Sequence, residues 1–220
     1  MVPSLRGRER MVSIWQDVEQ RTREDVIDDF HRAYWESKRW AMQWMGHNIL
    51  KSPADLFLYA ELLHKRRPDV LIETGTWNGG SALWYAHVMD IIGKGTVVSI
   101  DCEPKNVPQH PRILYLTGDS IEVAKHLELE PEWSVMVSLD SDHAHDHVAR
   151  ELDVFKDIVT PGQYLVVEDT NLNGHPVFSE HGPGPFEAVR DFADRRFTVD
   201  ESLAKRHLFS MHTWLLKEDV

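Results

Sequence analysis

One segment constrains the fold more than any other: VLIETGTWNGGS, residues 70–81, where a short apolar strand runs into a glycine turn and then into the helical stretch SALWYAHVMDII. In doubly wound sheets ligands sit beyond the carboxyl ends of the strands, and glycine in the first turn lets the backbone approach them closely. The spacing here is Gly75-x-x-x-Gly79-Gly80, which departs from the G-x-G-x-x-G fingerprint of dinucleotide sites. A pyrophosphate calls for backbone N–H groups at a helix start. A ligand carrying a cation and an amino-acid end is better served by an acid just before the turn, and Glu73 stands there.

The same alternation continues downstream. TVVSI (96–100), RILYLT (112–117), VMVSLD (135–140) and YLVVED (164–169) are short apolar runs separated, for the most part, by stretches long enough for a helix. Such a pattern predicts an α/β, Rossmann-like, seven-stranded and mostly parallel sheet with helices on both faces and right-handed connections. RFTVDES (196–202) and LFSMHTWLLK (208–217), a short loop apart, predict a C-terminal antiparallel hairpin at one sheet edge. Upstream, KSPADLFLYAELLHKRRPD predicts a helix with Ser52 as its cap, Pro53 in the first turn, Asp55 at the positive end of the dipole and Leu56, Tyr59, Ala60 and Leu63 as an apolar stripe.

Composition sets the outer limits. A chain of 220 residues, 42% hydrophobic, supports one well-buried core, and we expect a helical extension over residues 1–48 followed by a ligand-binding domain over 49–220. The extension carries Trp15, Trp35, Trp40 and Trp44 at loosely helical spacing and reads as a cap on the core, the alternative being a dimerising or substrate-covering arm. A net charge of −12 repels phosphate backbones and anionic lipid, so neither nucleic acid nor a membrane is an expected partner. No window reaches the about 18 apolar residues a spanning helix needs, the start lacks a signal-peptide core, and the expected location is the cytoplasm. Cys102, the single cysteine, rules out an internal disulfide.

The candidate site residues cluster at strand ends. S-adenosylmethionine (SAM), which has a sulfonium and no phosphate, fits the first turn, with Glu73, Gly75, Thr76, Gly79 and Ser81 as its loop contacts. Asp101 ends the second strand, where a carboxylate can accept from both ribose hydroxyls. Asp119 and Ser120 follow the third, where a short side chain or a backbone N–H can read the adenine edge. In a 3-2-1-4-5 strand order the ends of LDSD and VVED are neighbours, so Asp140, Glu168 and Asp169 converge. Three carboxylates together take up protons unless a cation sits among them, and hard oxygens suit Mg²⁺ or Mn²⁺. Asp142 reads as the cap of the next helix, and His143, about one turn beyond Asp140, is the candidate general base. The Gly/Pro-rich loop NLNGHPVFSEHGPGPFEAV, holding His175 and His181, has the length of a lid.

The run from ILKSPADLFLYAELLHKRRPDVLIETGTWNGGSALW through SLDSDHAHDHVARELDVFKDIVTPGQYLVVEDTNLNGHPV to GPGPFEAV resembles the bacterial family of cephalosporin hydroxylases and rhamnosyl O-methyltransferases, over roughly residues 46–217. The resemblance implies a class I SAM-dependent methyltransferase acting on a hydroxylated small molecule. As in the catechol O-methyltransferase group, it also implies a divalent metal, held here by Asp140, Glu168 and Asp169. His143 falls where the catechol enzymes place a lysine base. Two rivals are an iron(II) oxygenase and an NAD(P) oxidoreductase. The first lacks a His-x-Asp triplet for its facial triad; the second lacks both the loop spacing and a Tyr-x-x-x-Lys pair.

Overall fold

In the computed structural model, which describes residues 22–37, 42–103, 106–206 and 210–219, the five central runs form β3 (Val70–Thr74), β4 (Thr96–Asp101), β5 (Ile113–Thr117), β6 (Val135–Leu139) and β7 (Tyr164–Val167). They lie in a seven-stranded sheet of order β5-β4-β3-β6-β7-β9-β8, completed by β8 (Phe197–Val199) and β9 (Thr213–Lys217). The first five are mutually parallel in the expected 3-2-1-4-5 order, and β9 runs antiparallel to both β7 and β8.

The period of two along the strands splits the core between the two faces. Leu71, Val97, Met136 and Val166 pack under α2 (Pro53–Arg66) and α3 (Gly80–Ile92), which contribute Tyr59, Leu63, Tyr85 and Met89. Their chain neighbours Ile72, Val98, Val137 and Leu165 pack on the opposite face against Val148, Leu152 and Phe155 of α5 (His145–Ile158), with Ala124 of α4 (Ser120–Ala124) and Ala188 of α6 (Pro185–Asp191). Because both faces are covered, β3, β6 and β7 are buried along their whole length, which is why they read as continuous apolar runs.

Helix ends follow their local chemistry. Ser52 Oγ accepts from Asp55 N–H, Pro53 opens α2, and Arg67 closes it in the left-handed region. Asp119 caps α4 through Ile121 and Glu122 N–H. Asp142 does not cap α5: its Oδ1 accepts from Ala144 N–H, closing the turn that precedes the helix, whose N-cap is Ala144.

Two other expectations are revised. The C-terminal hairpin is present, but a helix, α7 (Glu201–Arg206), stands in its connection, because Asp200 Oδ1 accepts from Ser202 and Leu203 N–H and turns the chain out of the strand. In the N-terminal region α1 (Arg23–Glu36) is helical with Thr22 as its cap, whereas residues 42–49 form an antiparallel pair, β1 (Met42–Trp44) and β2 (His47–Ile49). Its two-residue turn, Met45-Gly46, has positive φ at both positions. Trp44 Nε1 donates to His87 Nδ1 at 2.9 Å, tying the hairpin to α3. Trp15 and Trp40 lie outside the described residues. Among the described residues no helix is long and apolar enough to cross a membrane.

Candidate active site

At the carboxyl end of β3 the backbone packs close on its neighbours. Gly75 has φ +84°, its N–H donates to Ile100 O at 2.8 Å, and a Cβ on it would run into the Asp140 carbonyl. The ends of β3, β4 and β6 are thereby drawn together. Five residues on, a Cβ on Gly80 would strike the Asn48 carbonyl, so β2 of the hairpin roofs the start of α3. Between these elements lies a cavity of about 290 Å³ lined by Gly75, Thr76, Ser81, Asp101, Asp140 and His143, among others.

Beneath the turn, Glu73 is fully buried. Ser99 Oγ donates to its Oε2 at 2.9 Å and, its proton being spent there, accepts from Thr76 Oγ1 at 2.7 Å, while Glu73 Oε1 makes no well-formed hydrogen bond among the described residues. Burial raises its pKa to about 7, with Lys51 opposing the rise. Gly79, at φ +69°, caps α3. Asp101 accepts from Trp77 N–H at 2.9 Å and Glu103 N–H at 3.0 Å, and lines both this cavity and an adjoining recess of about 400 Å³. Asp119 and Ser120 line that recess too, but their side chains are engaged: Asp119 caps α4, and Ser120 Oγ donates to Glu151 Oε1 at 2.6 Å.

On the other side, the ends of β6 and β7 present acids. Asp140, His143 and Asp169 each offer a ligand atom, all within 4.8 Å of one another. Asp169 adopts φ +54°, a conformation aspartate tolerates better than most residues. His143 Nε2 stands 3.0 Å from Asp169 Oδ2 and 3.5 Å from Asp140 Oδ1, yet makes a well-formed hydrogen bond to neither. Burial works against its charge, but the two carboxylates outweigh burial and hold its pKa well above the usual histidine value. This set of two carboxylates and one imidazole suits a small hard dication, and it inverts the two-histidine, one-carboxylate pattern of iron oxygenases.

Glu168 is directed elsewhere. It is buried, and its carboxylate accepts from Lys51 Nζ at 2.6 Å, Tyr59 Oη at 2.7 Å and Ser138 Oγ at 2.6 Å. Burial alone would raise its pKa; Lys51 and His212 reverse the sign and bring it down to about 2. Lys51 also reaches Asp140 Oδ2 at 2.8 Å. His212 Nδ1 accepts from Asp169 N–H at 3.1 Å, and its Nε2 lies 3.4 Å from both Asp55 and Glu168. Sequence reasoning passes over Lys51, Tyr59, Ser138 and His212. The signal available was a polar residue inside an apolar run, Ser138 in VMVSL, and a lysine just ahead of a helix cap.

A second cavity, also about 290 Å³, lies beyond Asp169. Its walls are His31, Tyr34 and Trp35 from α1, and Asn171, Phe178 and His181 from the loop after β7. Trp35 and Phe178 stack with ring centroids 5.6 Å apart, and Asn171 Nδ2 lies 3.4 Å from His31 Nδ1. His175, in the same loop, instead bonds Glu187 at 2.9 Å. Leu50, Lys51, His143 and Asp169 line both cavities and form the wall between them.

Comparison with known proteins places these features in context. A family model described as Rhamnosyl O-methyltransferase/CmcI matches residues 34–217. The rhamnosyl O-methyltransferase of Mycobacterium tuberculosis (strain ATCC 25618 / H37Rv) is 34% identical over 206 residues, covering 88% of this chain and 84% of the relative. That of Mycobacterium leprae (strain TN) is 36% identical over 190 residues, 82% of each. Among solved structures, an apo form of CmcI is similar in fold at a TM-score of 0.62 and 24% identity, over 81% of this chain and 77% of that one. A CmcI structure described with Mg and SAM gives a TM-score of 0.61 at 23% identity over the same shares of the two chains. TomG, an O-methyltransferase from Streptomyces achromogenes in complex with SAM, gives 0.56 at 18% identity over 91% of each chain.

Proposed function

Since the chain belongs to the rhamnosyl O-methyltransferase/CmcI family, it is a SAM-dependent O-methyltransferase, and we propose that its acceptor is a hydroxyl of a sugar or other small natural product held in the cavity walled by α1. The observation that carries this reading is the shared wall: two cavities, one at the glycine turn and one lined by aromatic rings, meet at His143 and Asp169. A methyl transfer needs two ligands brought end to end, and fixing them so is worth effective molarities of about 10⁵–10⁸ M.

On this reading SAM lies along Gly75, Thr76, Gly79 and Ser81, with Glu73 beneath the turn, its ribose at Asp101 and its adenine in the recess bounded by Asp119 and Ser120. Because the side chains of those last two are engaged, the recess would act through backbone groups and shape. Asp140 and Asp169 are the donors that would hold Mg²⁺ or Mn²⁺, with His143 beside them and Glu168 joining only when Lys51 releases it. Such a cation, when bound, lowers the pKa of a hydroxyl oxygen, and SAM supplies the methyl group.

The remaining work falls to the chain's own residues. His143, facing both cavities, is the group we assign to take the hydroxyl proton. Its flanking carboxylates favour the protonated ring, so it can accept a proton only while they are engaged elsewhere. Trp35 and Phe178 offer flat apolar faces to the acceptor and keep water from the reacting oxygen.

The test is incubation with SAM and Mg²⁺ across a panel of rhamnosyl glycosides and hydroxylated natural products, with S-adenosylhomocysteine and methylated product read by mass spectrometry. Transfer that EDTA suppresses is the expected result. SAM bound but no methyl transferred to any of the panel would overturn the acceptor assignment, and undiminished transfer in EDTA would overturn the metal.

A further inference from the structure

Lys51 sits where the hairpin feeds into α2, and its side chain is 1% exposed. Its Nζ lies 2.8 Å from Asp140 Oδ2 and 2.6 Å from each oxygen of Glu168, bridging the ends of β6 and β7. An ammonium group taken this far out of water is costly unless its partners are close and well aimed. The reverse holds for the acids: Asp55, Glu73 and Glu168 are buried and Asp140 and Asp169 partly so, and carboxylates packed together protonate or separate unless a cation lies among them. The neutral donors on Glu168, Tyr59 and Ser138, cannot supply that charge, and His212 reaches Glu168 only at 3.4 Å. Among the described residues Lys51 is the one lysine or arginine ion-paired with Asp140 or Glu168.

We infer that Lys51 is the enzyme's built-in counter-ion at the metal site: it holds Asp140 and Glu168 in place when no divalent cation is bound, and competes with the cation for their oxygens when one arrives. The inference rests on the metal reading above. Lys51 is on this account a positioning residue, spent on two carboxylates rather than on the acceptor. It makes two demands that a lysine serving only to fill space would not. Removing the ammonium must destabilise the metal-free protein in a way that a divalent cation repairs, and must tighten binding of that cation.

The experiment uses the full chain as wild type, Lys51→Gln, which keeps a donor without the charge, Lys51→Met, which keeps the apolar stem, and Asp169→Asn. Each is melted in EDTA and in Mg²⁺, and Mg²⁺ is titrated by calorimetry without SAM. The expected result is a lowered melting temperature for both Lys51 variants in EDTA, recovered for the most part by Mg²⁺, and Mg²⁺ affinity at least tenfold above wild type. A Lys51 variant that folds only in Mg²⁺ gives the same answer. Equal or weaker Mg²⁺ binding by the Lys51 variants, or a melting loss that Mg²⁺ leaves unrepaired, overturns the inference while leaving the metal site standing. Absence of Mg²⁺ binding in wild type overturns both.

Discussion

Gly75 lies so close to the main-chain carbonyl of Asp140 that one added carbon has no place to go. The contact joins the turn after β3 to the first acid after β6, and Gly75 also holds φ at +84°. Gly75→Ala therefore meets both a backbone clash and an unfavourable dihedral, and we expect a loss of about 3–4 kcal/mol in stability. The melting temperature should fall by roughly 8–15 °C for a chain of this size. An unchanged melt with full activity would show that the two loops are not in contact.

Asp140, His143 and Asp169 predict a separable pattern of losses. Asp140→Asn and Asp169→Asn should weaken Mg²⁺ binding by at least tenfold in a calorimetric titration while leaving SAM binding within about threefold, since the glycine turn does not depend on either charge. His143→Gln should keep Mg²⁺ affinity and lower kcat by about 10²–10⁴ if the ring is the base. A loss of Mg²⁺ affinity as large as that of the aspartate variants would make His143 a ligand instead.

How much of this was legible in the sequence depends on how local the signal is. The β3 run, its glycine turn and the covering helices are encoded by neighbours in the chain, and the sheet order follows once the alternation is seen. The β1–β2 hairpin was not legible because its turn is Met45-Gly46 rather than the Asn-Gly or Asp-Gly that marks such turns. α7 was missed because Asp200 inside RFTVDES reads equally as a strand residue or a cap. At the site, strand order brings Asp140 and Asp169 together, and His143 follows from its place three residues after Asp140. The partners of Glu168 could not be read this way: Lys51 is 117 positions away and Tyr59 is 109, and a lone lysine ahead of a helix cap marks an oddity without naming its partner.

Trp35 and Phe178 form an aromatic wall of the second cavity from two distant segments, and on the reading proposed above this wall meets the acceptor. Trp35→Ala or Phe178→Ala should raise the acceptor KM by roughly 5- to 30-fold, the equivalent of one to two kcal/mol of lost ring contact, with SAM affinity unchanged. Steady-state kinetics with each substrate varied in turn checks this. A matching rise in the SAM constant would place these rings elsewhere than at the acceptor.

Two buried glutamates set opposite pH limbs. Glu168 is held down to about 2, so the unfolded chain binds its proton more readily, and the stability it lends is complete above about pH 4.5 and lost as pH falls toward 2. Glu73 is raised to about 7, so the folded chain binds its proton more readily, and the stability it lends below about pH 4.5 is lost as pH rises through 7. In SAM-free protein, Glu73→Gln should remove the second limb. The wild-type melting temperature, measured against that variant, should decline between pH 5 and 7 and then level off. A flat difference across that range would mean that Glu73 is ionised throughout.

The clasp around the second cavity has a consequence for inheritance. His31 and Asn171 face each other across it although 140 positions separate them in the chain, and the Trp35–Phe178 stack closes the same gap. If the acceptor binds there as proposed, its choice is written in two places at once. A chimera that takes only the first helix, or only the long loop, from a relative with a different acceptor would carry mismatched halves and should favour neither parent's acceptor. Exchanging the two segments together is the smallest graft that could transplant the choice.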